Sequence, residues 1–435
     1  MAAAAIRSWA DLNSELLVSI AAAADNGLSI QDYQCLRGVC SAWRSALAPP
    51  YPCMLSLADD GGRSASVFSL PMRRSFNLYT ASEPLYEGCR EGRNRKGSRV
   101  RVVGSGHGRL AVAVDHGDLS YRMHGHVTVS GWRTVRILFL DPVSGRGVYG
   151  ELPPPPTSMD DHKCVPKVVF TTPDAGRGTV VATCNISKVS YIDTRSANMA
   201  WTTVDVVGHT RHLTDLAFDA GGGKLYCLDS CGVVHVLGIP HNCEDPAAPM
   251  ANDHTLTRLP AVFPAPYDAA FALTRTKHLF FCHGSLYQIW QNTIAAIIKL
   301  PSGFRIHLDE IYVVRYDPGR WPAWEVVKDL GGSSVFVGRN SNPAVVRAAG
   351  TGAAPGVRPN CVYWINWQRV PMVCDVATGA SEPFVALNGV CNGDCWYFDD
   401  ESTSNNCDEP GAPIARSIIL HLQAISRELR TSLLF

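Results

Sequence analysis

This chain has no excess charge of either sign: 39 Lys and Arg residues balance 39 Asp and Glu residues, for a formal net charge of zero. That balance leaves no electrostatic footprint for polyphosphate or an anionic membrane and argues against a general nucleic-acid binder. Long apolar runs are scarce as well. The longest, Leu16 to Ala24, is broken by Ser19 and stops at Asp25, well short of the roughly 18 to 20 residues of a spanning helix. Met1 to Ile6 has no basic stretch before its few apolar residues and is too short for a secretory signal. The expectation is a soluble chain in the cytoplasm, the nucleus or both, with no membrane or nucleic-acid partner. Its 15 cysteines are odd in number and irregular in spacing, which favours reduced thiols over a disulfide framework.

Motifs for chemistry are also missing. Gly104, Gly106 and Gly108 resemble the start of a dinucleotide fingerprint, but Arg109 stands where its third glycine belongs, and strand-like residues follow where a helix should open. Gly92 to Ser98 has the glycine spacing of a P-loop without Lys after Gly97. Cys391, Cys395 and Cys407, or His124 with His126 and His209 with His212, do not form paired knuckles or a His-Glu-x-x-His helix. No Gly-x-Ser-x-Gly elbow occurs. A carboxylate pair for glycoside hydrolysis is set by geometry and leaves no spacing to read. Yet Asp141, Asp229, Asp375 and Asp399 all sit beside turn residues, where Asp bonds its own backbone. Cys184, Cys227 and Cys282 fall inside strand-like runs, where a buried thiol acts as a small hydrophobe. No catalytic residue, metal site or cofactor is therefore assigned.

The chain does have ample apolar content, 46% against 18% charged, so it can build a large core. Its 435 residues alone suggest about three domains. However, 37 Gly and 28 Pro are spread along the whole length, which favours many short strands in one large unit. The character changes at Pro49 and Pro50. Before them, Leu12, Leu16, Leu17 and Ile20 share a helix face that Ala21 to Ala24 extends, and Asp25, Asn26 and Gly27 stop it. Ser29 and Asp32 form a capping-box pattern ahead of Tyr33, Leu36, Val39 and Cys40, and a third short helix runs through Trp43 and Leu47. Three such helices bury too little surface to stand alone. They either cap the next domain or expose an apolar face that a partner completes.

From Val100 to Phe398 the pattern turns to strand, turn, strand. Examples are Arg101 to Val103, Leu110 to Val114, Thr134 to Asp141, Lys167 to Thr171, Thr179 to Cys184, Lys224 to Leu228, Val233 to Leu237, His278 to Cys282, Ser334 to Val337 and Cys361 to Ile365. An apolar strand, a polar turn and a second strand ending at Pro recur most clearly in Lys224 to Pro240, at blade-like intervals. About 300 residues of strands without helical interludes exceed a normal sandwich and fit a propeller. Pro153 to Pro156 reads as a stiff surface loop and Arg90 to Arg101 as a basic solvated one. Ile414 to Leu434 carries Ile418, Leu422, Ile425, Leu429 and Leu433 at near-helical spacing, predicting a C-terminal helix packed on the main domain.

Trp9 to Leu47 resembles an F-box. Leu12, Glu15, Leu16, Leu17 and Ile20 match a Leu-Pro-x-Glu-Leu-Leu opening, and Val39, Cys40, Trp43 and Arg44 match a Val-Cys-x-x-Trp-Arg close. Asn13 takes the usual Pro position, and Ser41 replaces a frequent basic residue. The segments Gly104 to Leu110, Phe139 to Pro153 and Lys167 to Thr172 resemble the plant domain-of-unknown-function family described as a KIB-type β-propeller. So do Trp201 with Thr202, Leu225 to Asp229, Leu330 to Asn340 and Arg358 to Trp364.

The expected fold is thus mainly β with a small α domain. It comprises an F-box-like helical domain (1–50), a linker leading into the main domain (51–99), a β-propeller (100–400), and an acidic loop with a C-terminal helix (401–435). The resemblance implies the substrate-recognition subunit of a Skp-cullin-F-box ubiquitin ligase. Leu12, Asn13, Leu16, Leu17, Ile20, Val39, Cys40 and Trp43 would hold a Skp-type adaptor and through it a cullin, and the propeller would hold a target protein. Two other readings remain at this point: a propeller enzyme or small-ligand binder that the helices merely cap, and an F-box relic that no longer docks. Removal of residues 1–50 separates cap from docking module, since only loss of a cap destabilises the propeller.

Overall fold

The computed structural model describes residues 13–23, 29–57, 65–78, 98–123, 127–140, 147–156, 167–171, 179–194, 199–207, 211–219, 221, 223–239, 255–274, 276–293, 295–338, 341–350, 353–366, 368–384 and 395–398. Three helices open it: α1 (Ser14–Ala23), α2 (Ile30–Gly38) and α3 (Ser41–Ala46). The predicted capping box is present. The Ser29 hydroxyl accepts from the Asp32 N–H at 3.0 Å, and the Ser29 N–H donates to the Asp32 carboxylate at 3.2 Å, which satisfies otherwise orphaned N–H groups at the start of α2. Cys40 caps α3, and Leu47 turns extended ahead of the proline pair.

Six sheets of four or five strands follow. The first joins β1 (Cys53–Leu57), β2 (Ala65–Ser69) and β3 (Arg74–Leu78) to the last strand among the described residues, β27 (Cys395–Tyr397), in the order β27-β1-β2-β3. The second runs β4 (Ser98–Gly106), β5 (Arg109–Met123), β6 (Val127–Leu140) and β7 (Gly147–Leu152). The third comprises β8 (Val168–Phe170), β9 (Val180–Cys184), β10 (Lys188–Asp193) and β11 (Thr202–Asp205). The fourth comprises β12 (Leu213–Phe218), β13 (Lys224–Asp229), β14 (Val234–Gly238) and β15 (Leu256–Arg258). After helix α4 (Tyr267–Leu273), the fifth pairs β16 (Thr276–Cys282), β17 (Ser285–Gln291), β20 (Ile311–Tyr316) and β21 (Trp324–Val326), with the hairpin β18 (Ile297–Lys299) and β19 (Arg305–His307) inserted. The sixth holds β22 (Ser333–Val337), β23 (Ala344–Arg347), β24 (Cys361–Ile365), β25 (Pro371–Asp375) and β26 (Ser381–Pro383) in the order β23-β22-β24-β25-β26.

The sheets meet around an axis. β27 lies beside β4, β4 beside β8, β8 beside β12, β12 beside β16, β16 beside β23, and β22 beside β27. This is a six-bladed propeller, closed by pairing Cys53, Met54 and Leu55 with Tyr397, Trp396 and Cys395. Closure by radial repetition removes the open edges that a flat array of such strands would expose. Between blades two and three, β4 approaches β8 so closely that a Cβ on Gly104 would lie 2.3 Å from the Val168 carbonyl oxygen. Only glycine fits there.

Three expectations need correction or bounds. The stretch 51–99 is no simple linker, because it supplies β1–β3 and opens β4, so the propeller begins at Cys53 rather than near residue 100. Its Gly- and Ser-rich surroundings hid three five-residue strands, of which the first pairs with β27 far along the chain. The strand-rich region also has a helical interlude, α4, whose Ala270 is buried. The predicted C-terminal helix and acidic loop (401–435) lie outside the described residues, as does the basic stretch up to residue 97.

Closure rests on Trp396, which is 1% exposed, donates its Nε1–H to the Val337 carbonyl at 3.2 Å and meets the Phe336 ring edge-on at 5.1 Å. Trp396→Ala is expected to cost about 3–5 kcal/mol in urea unfolding; a loss under about 1 kcal/mol would show that the closing strand is dispensable.

Candidate functional site

The apolar side chains of the helical segment have opposite fates. Along α1, Leu17 and Ala21 stand four residues apart on one side and are buried, as are Ile30, Tyr33 and Leu36 of α2 and Trp43 of α3. Together with Leu47 they share one core cluster with Cys53 and Leu55 of β1, Val67 of β2, Phe76 of β3, Val102 of β4, Val112 of β5 and Tyr397 of β27. The helices therefore cap the junction of the first two blades. Flanking that buried side, Leu16 and Val18 of α1 are 49% and 48% exposed, and Val39 at the end of α2 is 49% exposed. A groove is lined by Ser14, Glu15 and Val18 of α1 and Ala42, Ser45 and Ala46 of α3.

The eight residues predicted to hold an adaptor are thus split. Leu16 and Val39 are exposed, and Cys40 is half-buried at the α3 N-cap. Leu17 and Trp43, at 1% and 2% exposure, point into the propeller junction and are removed from any free surface. The apolar stripe marked them as buried, but the surface that covers them belongs to the same chain. Leu12 and the Ile20 side chain lie outside the described residues. Asn13 is exposed and caps α1: its Oδ1 accepts from the Glu15 N–H at 2.9 Å and its carbonyl from the Leu17 N–H at 3.0 Å. Asn is among the best residues for that role, so the replacement of Pro keeps a helix start. The sequence reading missed Val18, Ala42, Ser45 and Ala46; the only available signal was Val18, one position off the Leu17–Ala21 side.

Several buried ionisable groups of the propeller are occupied internally. Asp215 of β12 accepts from Lys167, which precedes β8, and from the Leu216 and Leu279 N–H groups at 2.8 Å each, with His278 Nδ1 3.7 Å away. One carboxylate thereby ties three successive blades. Burial alone would raise its pKa, but the Lys167 ammonium and the His278 ring reverse that and hold it below the usual range. Asp229 closes the β13–β14 turn by accepting from the Cys231 and Val233 N–H groups at 2.8 and 2.9 Å and from Arg211 at 3.2 Å. Asp115 accepts from Arg101 at 2.6 Å and Thr134 at 2.7 Å. Lys277 of β16 donates to the Ser230 carbonyl at 2.9 Å and to that of Thr274. These arrangements staple blades and turns. Among the described residues, no group of three His, Cys, Asp or Glu side chains is placed to hold a metal ion, and no helix is long and apolar enough to cross a membrane.

A ring of six blades with a helical extension fused to its closing blade defines a β-propeller protein with a small α-helical cap. Residues 68–404 match the model of the KIB1-4 beta-propeller, and the chain belongs to that family. No curated protein matches it. Among solved structures, the Cps50 (Swd1) β-propeller domain of Myceliophteria thermophila is 11% identical, with 77% of this chain and 96% of that one covered at a TM-score of 0.34. A functionally unknown protein from Desulfotomaculum acetoxidans is likewise 11% identical, covering 68% and 73% at a TM-score of 0.30.

Buried thiols give the fold a pH signature. Burial pushes Cys184 up to about 12 and Cys374 up to about 11, and raises Cys227, Cys282 and Cys361 as well. A thiol whose folded pKa lies above its unfolded value stabilises the fold below that unfolded value and loses the contribution as pH rises. Lys277 acts in the opposite sense, because burial brings it down to about 8, so its contribution grows with pH. Under reducing conditions the unfolding free energy should fall between about pH 8 and pH 10, less steeply in Cys184→Ala and more steeply in Lys277→Met. A flat profile would contradict this account.

Proposed function

We propose that the chain is the substrate-recognition subunit of a Skp-cullin-F-box ubiquitin ligase, working in the cytoplasm, the nucleus or both. The observation that carries this reading is the set of apolar side chains left half-exposed on the helices, Leu16, Val18 and Val39, together with the groove between α1 and α3 that Val18 lines. They lie on a helical segment whose buried side is already satisfied by the propeller. An apolar patch left open on an anchored segment is suited to a partner's helices. Each such side chain is worth roughly 1.5–3 kcal/mol when fully covered, before the cost of association. In this reading the groove between α1 and α3 receives the Skp-type adaptor, which brings the cullin, and the propeller holds a target protein. The chain contributes proximity and orientation and makes or breaks no covalent bond itself.

The test is capture of the full-length chain by a purified Skp-type adaptor, comparing wild type with Leu16→Asp/Val18→Asp, the second of which lines the groove. Both substituted positions are exposed, so thermal unfolding should be unchanged while capture is lost. Absence of capture by wild type, or undiminished capture by the double variant, would overturn the reading.

A further inference from the structure

A charged side chain, Arg74, sits in the joint between helices and propeller. Arg74 opens β3, the strand farthest from β27 in the closing blade. Its Nη1–H donates to the Ala21 carbonyl at 2.9 Å, and its guanidinium carbon lies 4.3 Å from the Phe76 ring centroid and 5.6 Å from that of Tyr33. Ala21 is among the last four residues of α1, whose carbonyls have no partner within the helix and carry its negative pole. A cation placed there satisfies an orphan acceptor and the helix dipole together, while its charge lies over two aromatic rings.

The rings bind the remaining helices into the same node. Tyr33 of α2 meets Phe76 of β3 at 5.4 Å and donates its hydroxyl to the Ala48 carbonyl at 2.9 Å, just beyond α3. Arg74 therefore contacts α1 by hydrogen bond, α2 through Tyr33, and its own strand through Phe76. The surrounding apolar cluster supplies adhesion, which is non-directional. The hydrogen bond to the Ala21 carbonyl and the cation's place over two rings supply direction.

We infer that Arg74 is a positioning residue that holds the helical segment at one angle on the closing blade, so that the helices and the propeller move as one body. This deepens the docking proposal, since a target on the propeller would then be presented to an adaptor-bound ligase in a fixed orientation. The joint itself stands whether or not an adaptor binds.

The experiment uses the full-length chain with spin labels carried on unnatural side chains at two exposed positions, Ser41 of α3 and Lys224 of β13. Wild type should give one narrow distance distribution. Arg74→Met, which keeps apolar length but loses the bond and the charge, should broaden it with propeller unfolding unchanged. Arg74→Lys, which keeps a donor and a cation, should restore much of the narrow peak. An unchanged narrow peak in Arg74→Met, or loss of the propeller fold in that variant, would overturn the inference. In the second case Arg74 would be a structural group and not a joint. Adaptor capture, measured on the same samples, should be equal in wild type and Arg74→Met. Its absence in wild type would overturn the docking reading and leave the joint intact.

Discussion

The structure depends on one cluster where both ends of the propeller and the helical segment meet. Ring closure requires β27, a strand of three residues, to pair with β1, reached only after the whole ring has been traced. So short a strand contributes few ladder bonds, and closing so long a loop is entropically unfavourable. What holds it is side-chain burial: Cys395 and Tyr397 join Leu17, Ile30, Tyr33, Leu36 and Trp43 in the cluster that also contains Leu55, Val67 and Phe76. Tyr397 extends the node to the second blade by donating its hydroxyl to the Gly108 carbonyl at 3.1 Å. The helices are thus part of the clasp that completes the ring.

Elsewhere the blades are joined by stacked apolar faces with polar staples between them. Asp215 spans three blades, and Lys277 and Gln288 of the fifth blade bond the carbonyls of Ser230 and Gly232 in the turn that Asp229 closes in the fourth. A buried charge is a stability risk unless its partners are complete. These sites are surrounded by backbone donors or acceptors as well as by opposite charge, the condition under which a buried network specifies one arrangement. The same division of labour recurs at the helical joint, where apolar contacts supply adhesion and Arg74 supplies direction.

Much of this was legible because it is local. Ser29 and Asp32 announce the start of α2, the proline pair announces the end of α3, and alternating or continuous apolar runs such as Lys224 to Leu228 announce strands. Cys184, Cys227 and Cys282 do sit in strands as free thiols, all three of them in the core. The first blade was not legible, since Cys53 to Leu57 and Ala65 to Ser69 are short runs and the second partner of the former, Cys395 to Tyr397, lies far away in sequence. Nor was the division of the helix stripe. Periodicity says that Leu16, Leu17 and Trp43 want to be covered, but only three-dimensional placement says that Leu17 and Trp43 are covered by the propeller and Leu16 is left open. Arg74 had no sequence signal, because its partners are a backbone carbonyl and two rings.

The central claim is that helices and closing blade form one cooperative unit, and native-state hydrogen exchange tests it most directly. The Tyr33 amide, bonded to the Ser29 carbonyl at 3.1 Å in α2, and the amides of β1 should exchange with the same free energy and the same urea dependence. If the α2 amides exchange through a small, urea-insensitive opening while β1 stays protected, the helices are a loosely attached module and the account is contradicted.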